Sequence, residues 1–301
     1  MFNFENIPSQ KGRIALITGA NAGLGLETTK WFAKKDIKVI MACRDLGKAE
    51  SAKKEVLAET PAADLEVMQL DLGSLESIRT FAKDFLSRYD QLDLLVNNAG
   101  IMVPPLMRTK EGFEIQFGVN HLGHFLLTNL LLPVVTKTQD SRIVVLSSGA
   151  HRSGKINFND LNWEKDYSKF AAYSQSKLAN LMFALDLNQK LEAANHSTIA
   201  VAAHPGVART SLGRHLNKIL YFLLLPLFYL ITHSAKKGAL PTVMAALDPN
   251  VKGGEYFGPQ GRREMKGAPG RAEIAPQTLD ETVRQRLWNV SEELTEEKFE
   301  I

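Results

Sequence analysis

An apolar run, Arg13-Ile14-Ala15-Leu16-Ile17, passes directly into Thr18-Gly19-Ala20-Asn21-Ala22-Gly23-Leu24-Gly25 and from there into a stretch of helix-forming composition, Leu26-Glu27-Thr28-Thr29-Lys30-Trp31-Phe32-Ala33-Lys34-Lys35. The order is strand, glycine turn, helix. Glycines let the backbone turn sharply and come close to a phosphate. The free N–H groups and the positive dipole end of the helix that follows then face the anion. A glycine turn in that context is a phosphate-binding loop rather than a plain connection.

Further short β-type runs recur between helical stretches, at 37–42, 65–70, 92–97, 142–147, 198–203 and 255–257. Their residues are almost continuously apolar instead of alternating, which argues a parallel sheet covered on both faces. The sequence therefore predicts an α/β architecture: one doubly wound domain of about seven parallel strands with helices on both sides. Helices are expected at 45–59, 112–135, 171–194 and 278–294, the last opened by Thr278 and Glu281 in capping-box spacing. No linker, shift in composition or repeat divides the 301 residues, so a single domain spanning 1–301 is expected.

Composition narrows the function classes. With 45% hydrophobic and 23% charged residues the chain has the make-up of a soluble globular protein. Its 36 basic and 33 acidic residues are spread along the chain and form no basic stripe, so no nucleic-acid partner is expected. The single Cys43 excludes an intramolecular disulfide, no Cys/His cluster has zinc spacing, and a reducing compartment fits. Residues 1–11 lack the pattern of a signal peptide. The longest apolar run, 219–231, is well short of the ~20 residues of a spanning helix and is broken by Pro226, so a cytoplasmic location with peripheral membrane contact is expected. Arg262, Arg263, Lys266 and Arg271 read as a solvated basic loop.

Tyr173 and Lys177 stand four apart in a helical stretch, which puts a phenol and an ammonium on one face. A phenol titrates near about 10 in water, and a fixed cation beside it favours phenolate, so the pair suits acid–base work. With the glycine loop, Asn97-Asn98-Ala99-Gly100, Asn120, Ser147-Ser148, the Tyr173/Lys177 pair and Pro205-Gly206 in this order, the chain resembles the classical short-chain dehydrogenase/reductases over residues 11–256. Thr-Gly-Ala-Asn-Ala-Gly-Leu-Gly, Val-Asn-His-Leu-Gly-His-Phe and Tyr-Ser-Gln-Ser-Lys-Leu-Ala-Asn carry a narrower likeness. It is to the retinol dehydrogenase-like branch, with its WW-domain oxidoreductase and protochlorophyllide reductase-type relatives.

The resemblance implies a Rossmann fold and assigns roles. Tyr173 moves the substrate proton; Lys177 lowers its pKa and holds the nicotinamide ribose; Ser148, in preference to Ser147, hydrogen-bonds the substrate oxygen. Asn120 holds a water that relays protons from Lys177. The cofactor set it implies is Gly19, Asn21, Gly23, Leu24 and Gly25 of the loop, Asp71 and Leu72 after the third strand, Asn98, Ala99 and Gly100 after the fourth, and Pro205, Gly206 and Thr210, together with Tyr173 and Lys177. At the end of the second strand the residue that would be an acid for NAD is Cys43, and Arg44 beside it suits a 2′-phosphate, so NADP(H) is expected over NAD(H). Ala22 stands where many NADP-using relatives carry a second basic residue. His121 and His124 have no partners at metal-site spacing and read as packing or surface residues; no metal is expected.

The stretch between Ser148 and Tyr173 is longer than in many classical members and carries Phe158, Leu161, Trp163 and Tyr167, which either wall the substrate cleft or pack onto the domain body. A lid over the substrate is expected at 211–233, with the apolar run as its inner face, as a membrane-docking patch, or as core. Each choice favours a lipophilic carbonyl or alcohol as the small-molecule partner. The family's habit of pairing through long helices makes a homo-oligomer the other expected partner. A noncatalytic NADP-binding sensor and a double-bond reductase are the rival readings. The first is disfavoured by the retained Tyr173 and Lys177, the second by the lack of a cysteine away from the adenosine end.

Overall fold

The apolar runs become strands. The computed structural model describes residues 2–209 and 232–301. Thr210, the apolar run 219–231 and the expected lid up to residue 231 lie outside the described residues.

The chain order is β1 (Ile14–Thr18), α1 (Gly23–Ala33), β2 (Lys38–Cys43), α2 (Leu46–Glu59), β3 (Leu65–Gln69), α3 (Leu75–Arg88), β4 (Leu94–Asn97), α4 (Ile115–Lys137), β5 (Arg142–Leu146), α5 (Lys169–Ala193) and β6 (Ile199–Ala203). It continues with β7 (Ala208–Arg209), β8 (His233–Ser234), α6 (Ala235–Gly238), α7 (Leu240–Leu247), β9 (Tyr256–Pro259), β10 (Pro269–Arg271) and α8 (Glu281–Thr295). Among the described residues these strands build an eight-stranded sheet in the order β10-β9-β6-β5-β4-β1-β2-β3, with β7 and β8 pairing separately. The expected parallel strands are all present. The addition is β10, which the sequence reading missed: it pairs antiparallel with β9, with Gly270 opposite Gly258. A three-residue strand containing Pro269 and Gly270 carries no apolar run to betray it.

Strand order reverses between β1 and β4, whose registers meet at Ala15 and Leu94. At such a switch point the connections leave in opposite directions and open a crevice at the carboxyl ends of the strands. Successive strand residues serve opposite faces. Leu16, Ile40, Leu95, Ile143 and Val145 pack with Phe125, Leu126 and Leu181 on one side; Ala15, Ile17, Val39, Met41, Val96 and Val144 pack with Phe32, Val243 and Ala246 on the other. Helix α4 is long and apolar enough to cross a membrane, but 89% of its apolar window is buried inside the protein, as a core helix against a sheet requires.

Helix α8 begins two residues later than the predicted capping box. Asp280, not Thr278, is its N-cap, accepting from Val283 N at 3.1 Å, while Thr278 is buried in the preceding 3₁₀ turn. A carboxylate at the cap also meets the helix dipole favourably. The helix lies over α4 and α5 through one aromatic cluster: Phe125 has Phe299 at 4.8 Å, Phe183 at 5.2 Å and Trp288 at 5.3 Å. His121 joins them by a 2.9 Å bond to Ser291 Oγ. Phe125 is 1% exposed, so Phe125→Ala should lower unfolding free energy by roughly 3–4 kcal/mol. A urea titration should show the lower midpoint at unchanged slope; a loss under about 1 kcal/mol would mean that the cluster does not fasten the closing helix.

Candidate active site

One cavity of about 410 Å³ follows the switch point. Its lining runs from Arg44, Asp45 and Lys48 at the end of β2, past Gly19, Asn21, Ala22, Gly23, Leu24 and Gly25, to Asn98, Ala99 and Gly100 after β4. It ends at Ser147, Tyr173, Lys177 and Pro205. Most of the residues expected from the sequence are thus gathered by five strand ends, those of β1, β2, β4, β5 and β6, and by α5. Ile101 and Met102 also line it.

The loop geometry explains the glycines. Gly19 (φ 65°) and Gly23 (φ 55°) occupy left-handed backbone that side chains disfavour. A Cβ on Gly25 would strike the Gly19 carbonyl and the Asn98 amide, so the first turn of α1 can approach β4 only as glycine. Thr18 closes the other side: its hydroxyl accepts from Asn98 N and Ala99 N, both at 2.9 Å, and its carbonyl accepts from Asn98 Nδ2 at 2.6 Å. The loop leaves a concave run of backbone at a helix N-terminus, with two cations at one end of the cavity. The donor set fits the phosphates of a dinucleotide.

Arg44 and Lys48 supply those cations. Lys48 was missed in the sequence reading, although it stands four residues after Arg44, in the first turn of α2, where a helix brings it back to the strand end. Asp45 is already engaged: it caps α2 by accepting from Lys48 N at 3.0 Å and pairs with Lys48 Nζ at 2.8 Å. Cys43 is buried beneath the loop; burial pushes its thiol up to about 11 against weaker hydrogen bonds from Ala20 and Asn21. It is an inert packing group.

At the opposite end the two serines separate. Ser147 Oγ donates to the Lys177 carbonyl at 2.7 Å and ties β5 to α5. Ser148 caps a short 3₁₀ turn, accepts from Ala150 N at 3.2 Å, and faces the Tyr173 phenol, a contact that favours phenolate. Burial has the larger and opposite effect, and Tyr173 is raised above the ordinary tyrosine value. Lys177 does not offset it. Its Nζ donates to the Leu146 carbonyl at 3.0 Å and stands 5.9 Å from the Tyr173 ring centroid. In this geometry burial and the Ser148 contact are what act on the Tyr173 phenol, and the net direction is upward.

Asn120 lies in a π turn, Gly118–Leu122, within α4. It is fully buried: Oδ1 accepts from Ile101 N at 2.8 Å, and Nδ2 donates to Ile101 O at 3.0 Å and Ser176 Oγ at 2.9 Å. It pins the cavity edge after Gly100 to α5 through Ser176. His124 bridges its carbonyl, at 3.0 Å from Nδ1, to Thr18 Oγ1, at 2.8 Å from Nε2. Asp71, Leu72, Ser148 and Gly206 stand outside the cavity lining. Asp71 Oδ1 accepts from Gly73 N at 2.9 Å, and Leu72 is buried. Among the described residues no group of three or more His, Cys, Asp or Glu is placed to hold a metal ion.

Of the two roles expected for the long stretch before α5, packing onto the domain body is the one its apolar side chains take. Phe158 and Leu161 pack onto the body beside Phe113, Ile156 and Leu178. Tyr167 instead reaches the loop after β4, donating to Pro104 O at 3.1 Å and accepting from Gln116 Nε2 at 3.2 Å. Near these anchors Leu106, Met107 and Phe170 are 44%, 52% and 58% exposed.

Sequence comparison agrees with this geometry. The family model for short chain dehydrogenase matches residues 13–219. The chain belongs to the short-chain dehydrogenase family. It is 43% identical over 300 residues to human retinol dehydrogenase 14, covering 93% of this chain and 85% of that protein. It is also 43% identical to mouse retinol dehydrogenase 13, covering 94% and 84%. The crystal structure of an uncharacterized protein from Mycobacterium Paratuberculosis superposes with a TM-score of 0.82 at 40% identity, covering 100% of this chain and 99% of that one. These matches place the dehydrogenase in the retinol dehydrogenase-like branch, as an oxidoreductase acting on CH–OH groups with a nicotinamide dinucleotide.

Burial lowers Lys177 of this dehydrogenase to about 8. A lysine that holds its proton less tightly when folded destabilises the fold below that pH, and the penalty fades as pH rises from 8 towards the unfolded value of 10.5. Removing Nζ orphans nothing, because Leu146 O also accepts from Asn180 Nδ2 at 2.9 Å. Lys177→Met should therefore raise stability at pH 7 by roughly 1–3 kcal/mol. Thermal melts across pH should show that gain shrinking between pH 8 and 10.5; a variant less stable at pH 7 would contradict the burial penalty.

Proposed function

We propose that this dehydrogenase is NADP(H)-dependent and interconverts a lipophilic alcohol with its aldehyde or ketone, Tyr173 serving as acid and base. The observation that carries the reading is that one cavity has Arg44 and Lys48 at one end and Tyr173 and Lys177 at the other. Paired cations suit a 2′-phosphate. Lys48 takes the part that Ala22 leaves open in the glycine loop, and its pairing with Asp45 turns that acid away from a ribose.

The bound nicotinamide would supply or accept the hydride. The chain's own groups do the rest. Tyr173, protonated through burial, donates its phenolic proton to the substrate oxygen in reduction, and Ser148 offers that oxygen a hydrogen bond as negative charge develops. Lys177 is placed to hold the nicotinamide ribose, with Asn120 supporting the relay and the wall beside Gly100. Gly19, Asn21, Gly23, Leu24 and Gly25 would take the pyrophosphate, Asn98, Ala99 and Gly100 the adenosine side, and Pro205 and Gly206 the carboxamide. Asp71 and Leu72 stay with the adenine by family likeness only, as does Thr210.

Apolar substrates are supported by the exposed side chains of Leu106, Met107 and Phe170 and by relatives that carry the name retinol dehydrogenase. A single domain with its lid at 211–233, and a cytoplasmic setting with peripheral membrane contact, belong to the same reading. Cys43, buried under the glycine loop, cannot serve a double-bond reductase at the substrate end.

Purified protein should oxidise NADPH with carbonyls graded from short polar aldehydes to retinal-sized ones, faster toward the apolar end. Tyr173→Phe should lose roughly 10²–10⁴-fold in turnover with NADPH affinity retained; an undiminished rate sinks the acid–base assignment. Replacing Arg44 and Lys48 with alanine should weaken NADPH by about 10²-fold and leave NADH nearly untouched. Equal affinity of the unmodified protein for both cofactors would refute the NADP preference.

A further inference from the structure

Arg263 and Glu264 are consecutive non-glycine residues in left-handed backbone, at φ 52° and 53°. Such positions cost on the order of 1–2 kcal/mol each and persist where surrounding contacts over-determine them. Glu264 supplies the contacts. Its Oε2 accepts from Arg152 Nη2 at 2.7 Å and from His204 Nε2 at 3.0 Å, and its Oε1 accepts from Glu273 N at 2.9 Å. The His204 ring is oriented for this, because Nδ1 accepts from Gly206 N at 3.2 Å and Nε2 therefore carries the proton.

The two side chains that meet at Glu264 come from the two walls of the substrate end. Arg152 belongs to the 3₁₀ turn, Gly149–Ser153, that Ser148 caps. His204 precedes Pro205 and Gly206. The same C-terminal segment grips both walls through other groups: Met265 O accepts from Val207 N at 2.7 Å, and Gln277 Nε2 donates to His151 O at 3.1 Å and Arg152 O at 2.8 Å. Between the walls the buried Tyr256 ring lies against His151 at 5.4 Å and His204 at 5.1 Å. Arg152 and His204 hold the Glu264 carboxyl at about 2, well below the usual glutamate range, so it stays an anion at neutral pH and does not shuttle protons.

We propose that Glu264 is a positioning residue whose carboxylate fixes the separation between the turn carrying Ser148 and the loop carrying Pro205 and Gly206, and so sets where a nicotinamide ring stands relative to Ser148 and Tyr173. The inference rests on the cofactor reading above and adds to it the residue that aligns its two halves. A misplacement of about 1 Å at such a joint is enough to cost ~10²-fold in rate.

The test compares Glu264→Ala and Glu264→Gln with the unmodified protein by NADPH fluorescence titration, by binding of adenosine 2′,5′-bisphosphate, which has no nicotinamide, and by steady-state kinetics. Glu264→Ala should lower kcat by about 10–100-fold and weaken NADPH by about tenfold, with the bisphosphate affinity unchanged within about twofold. Glu264→Gln, which still accepts one hydrogen bond, should fall between. Unaltered kcat and NADPH affinity in Glu264→Ala overturn the proposal. So does an equal weakening of both ligands, which would mark general loosening. If Glu264→Ala does not fold, Glu264→Gln and His204→Asn carry the same comparison. Failure of the unmodified protein to bind NADPH overturns the cofactor reading itself; normal binding with silent Glu264 variants overturns the brace alone.

Discussion

A single hydroxyl organises the switch point. Thr18 Oγ1 accepts two backbone N–H groups from the segment after β4 and is left with its own proton to give to His124 Nε2. His124 then passes a hydrogen bond from Nδ1 to the Asn120 carbonyl, and Asn120 holds both backbone groups of Ile101. Burial lowers His124 to about 4, so the neutral ring this chain requires is the form present at neutral pH. Through these links β1, β4 and the π turn of α4 stand in one arrangement. The glycine loop and α5 cannot drift apart without leaving buried polar groups unpaired.

The pair Tyr173 and Lys177 is held at the opposite end against its own electrostatics. Tyr173 and Lys177 are both buried; burial raises the first and lowers the second, each toward its neutral form. The Leu146 carbonyl keeps Lys177 Nζ in place and away from the phenol. A bound anion near Lys177 would hold the ammonium more firmly, so the titration of this end is coupled to the occupancy of the cavity rather than fixed by the pair alone. The cost in stability is the ordinary companion of an arranged site.

The glycine loop, the sheet and the Tyr173/Lys177 pair were legible because local rules constrain them: left-handed backbone needs glycine, a strand buried on both faces needs an apolar run, and helical spacing puts i and i+4 together. What stayed hidden depends on contacts between distant segments. Lys48 enters the cavity only because α2 turns back on β2, and β10 exists only because β9 offers an edge. Asp280 outcompeted Thr278 for the cap although both lie in capping range of an acidic first turn. The basic character of Arg262, Arg263, Lys266 and Arg271 drew attention to a solvated loop, while the acid among them made the consequential contacts.

The division of labour between Ser147 and Ser148 shows why spacing cannot assign a role by itself. Both hydroxyls stand at the end of β5, one residue apart, and alternation sends them to different sides. Ser147 finds the Lys177 carbonyl and tethers the strand to α5, while Ser148 meets the phenol of Tyr173 on the same helix. Exchanging the two would require a shift of one residue in the register with β6, where Leu146 opposes Ala203, and would carry every residue of the strand to the opposite face of the sheet. The sheet register therefore decides which serine faces the Tyr173 phenol.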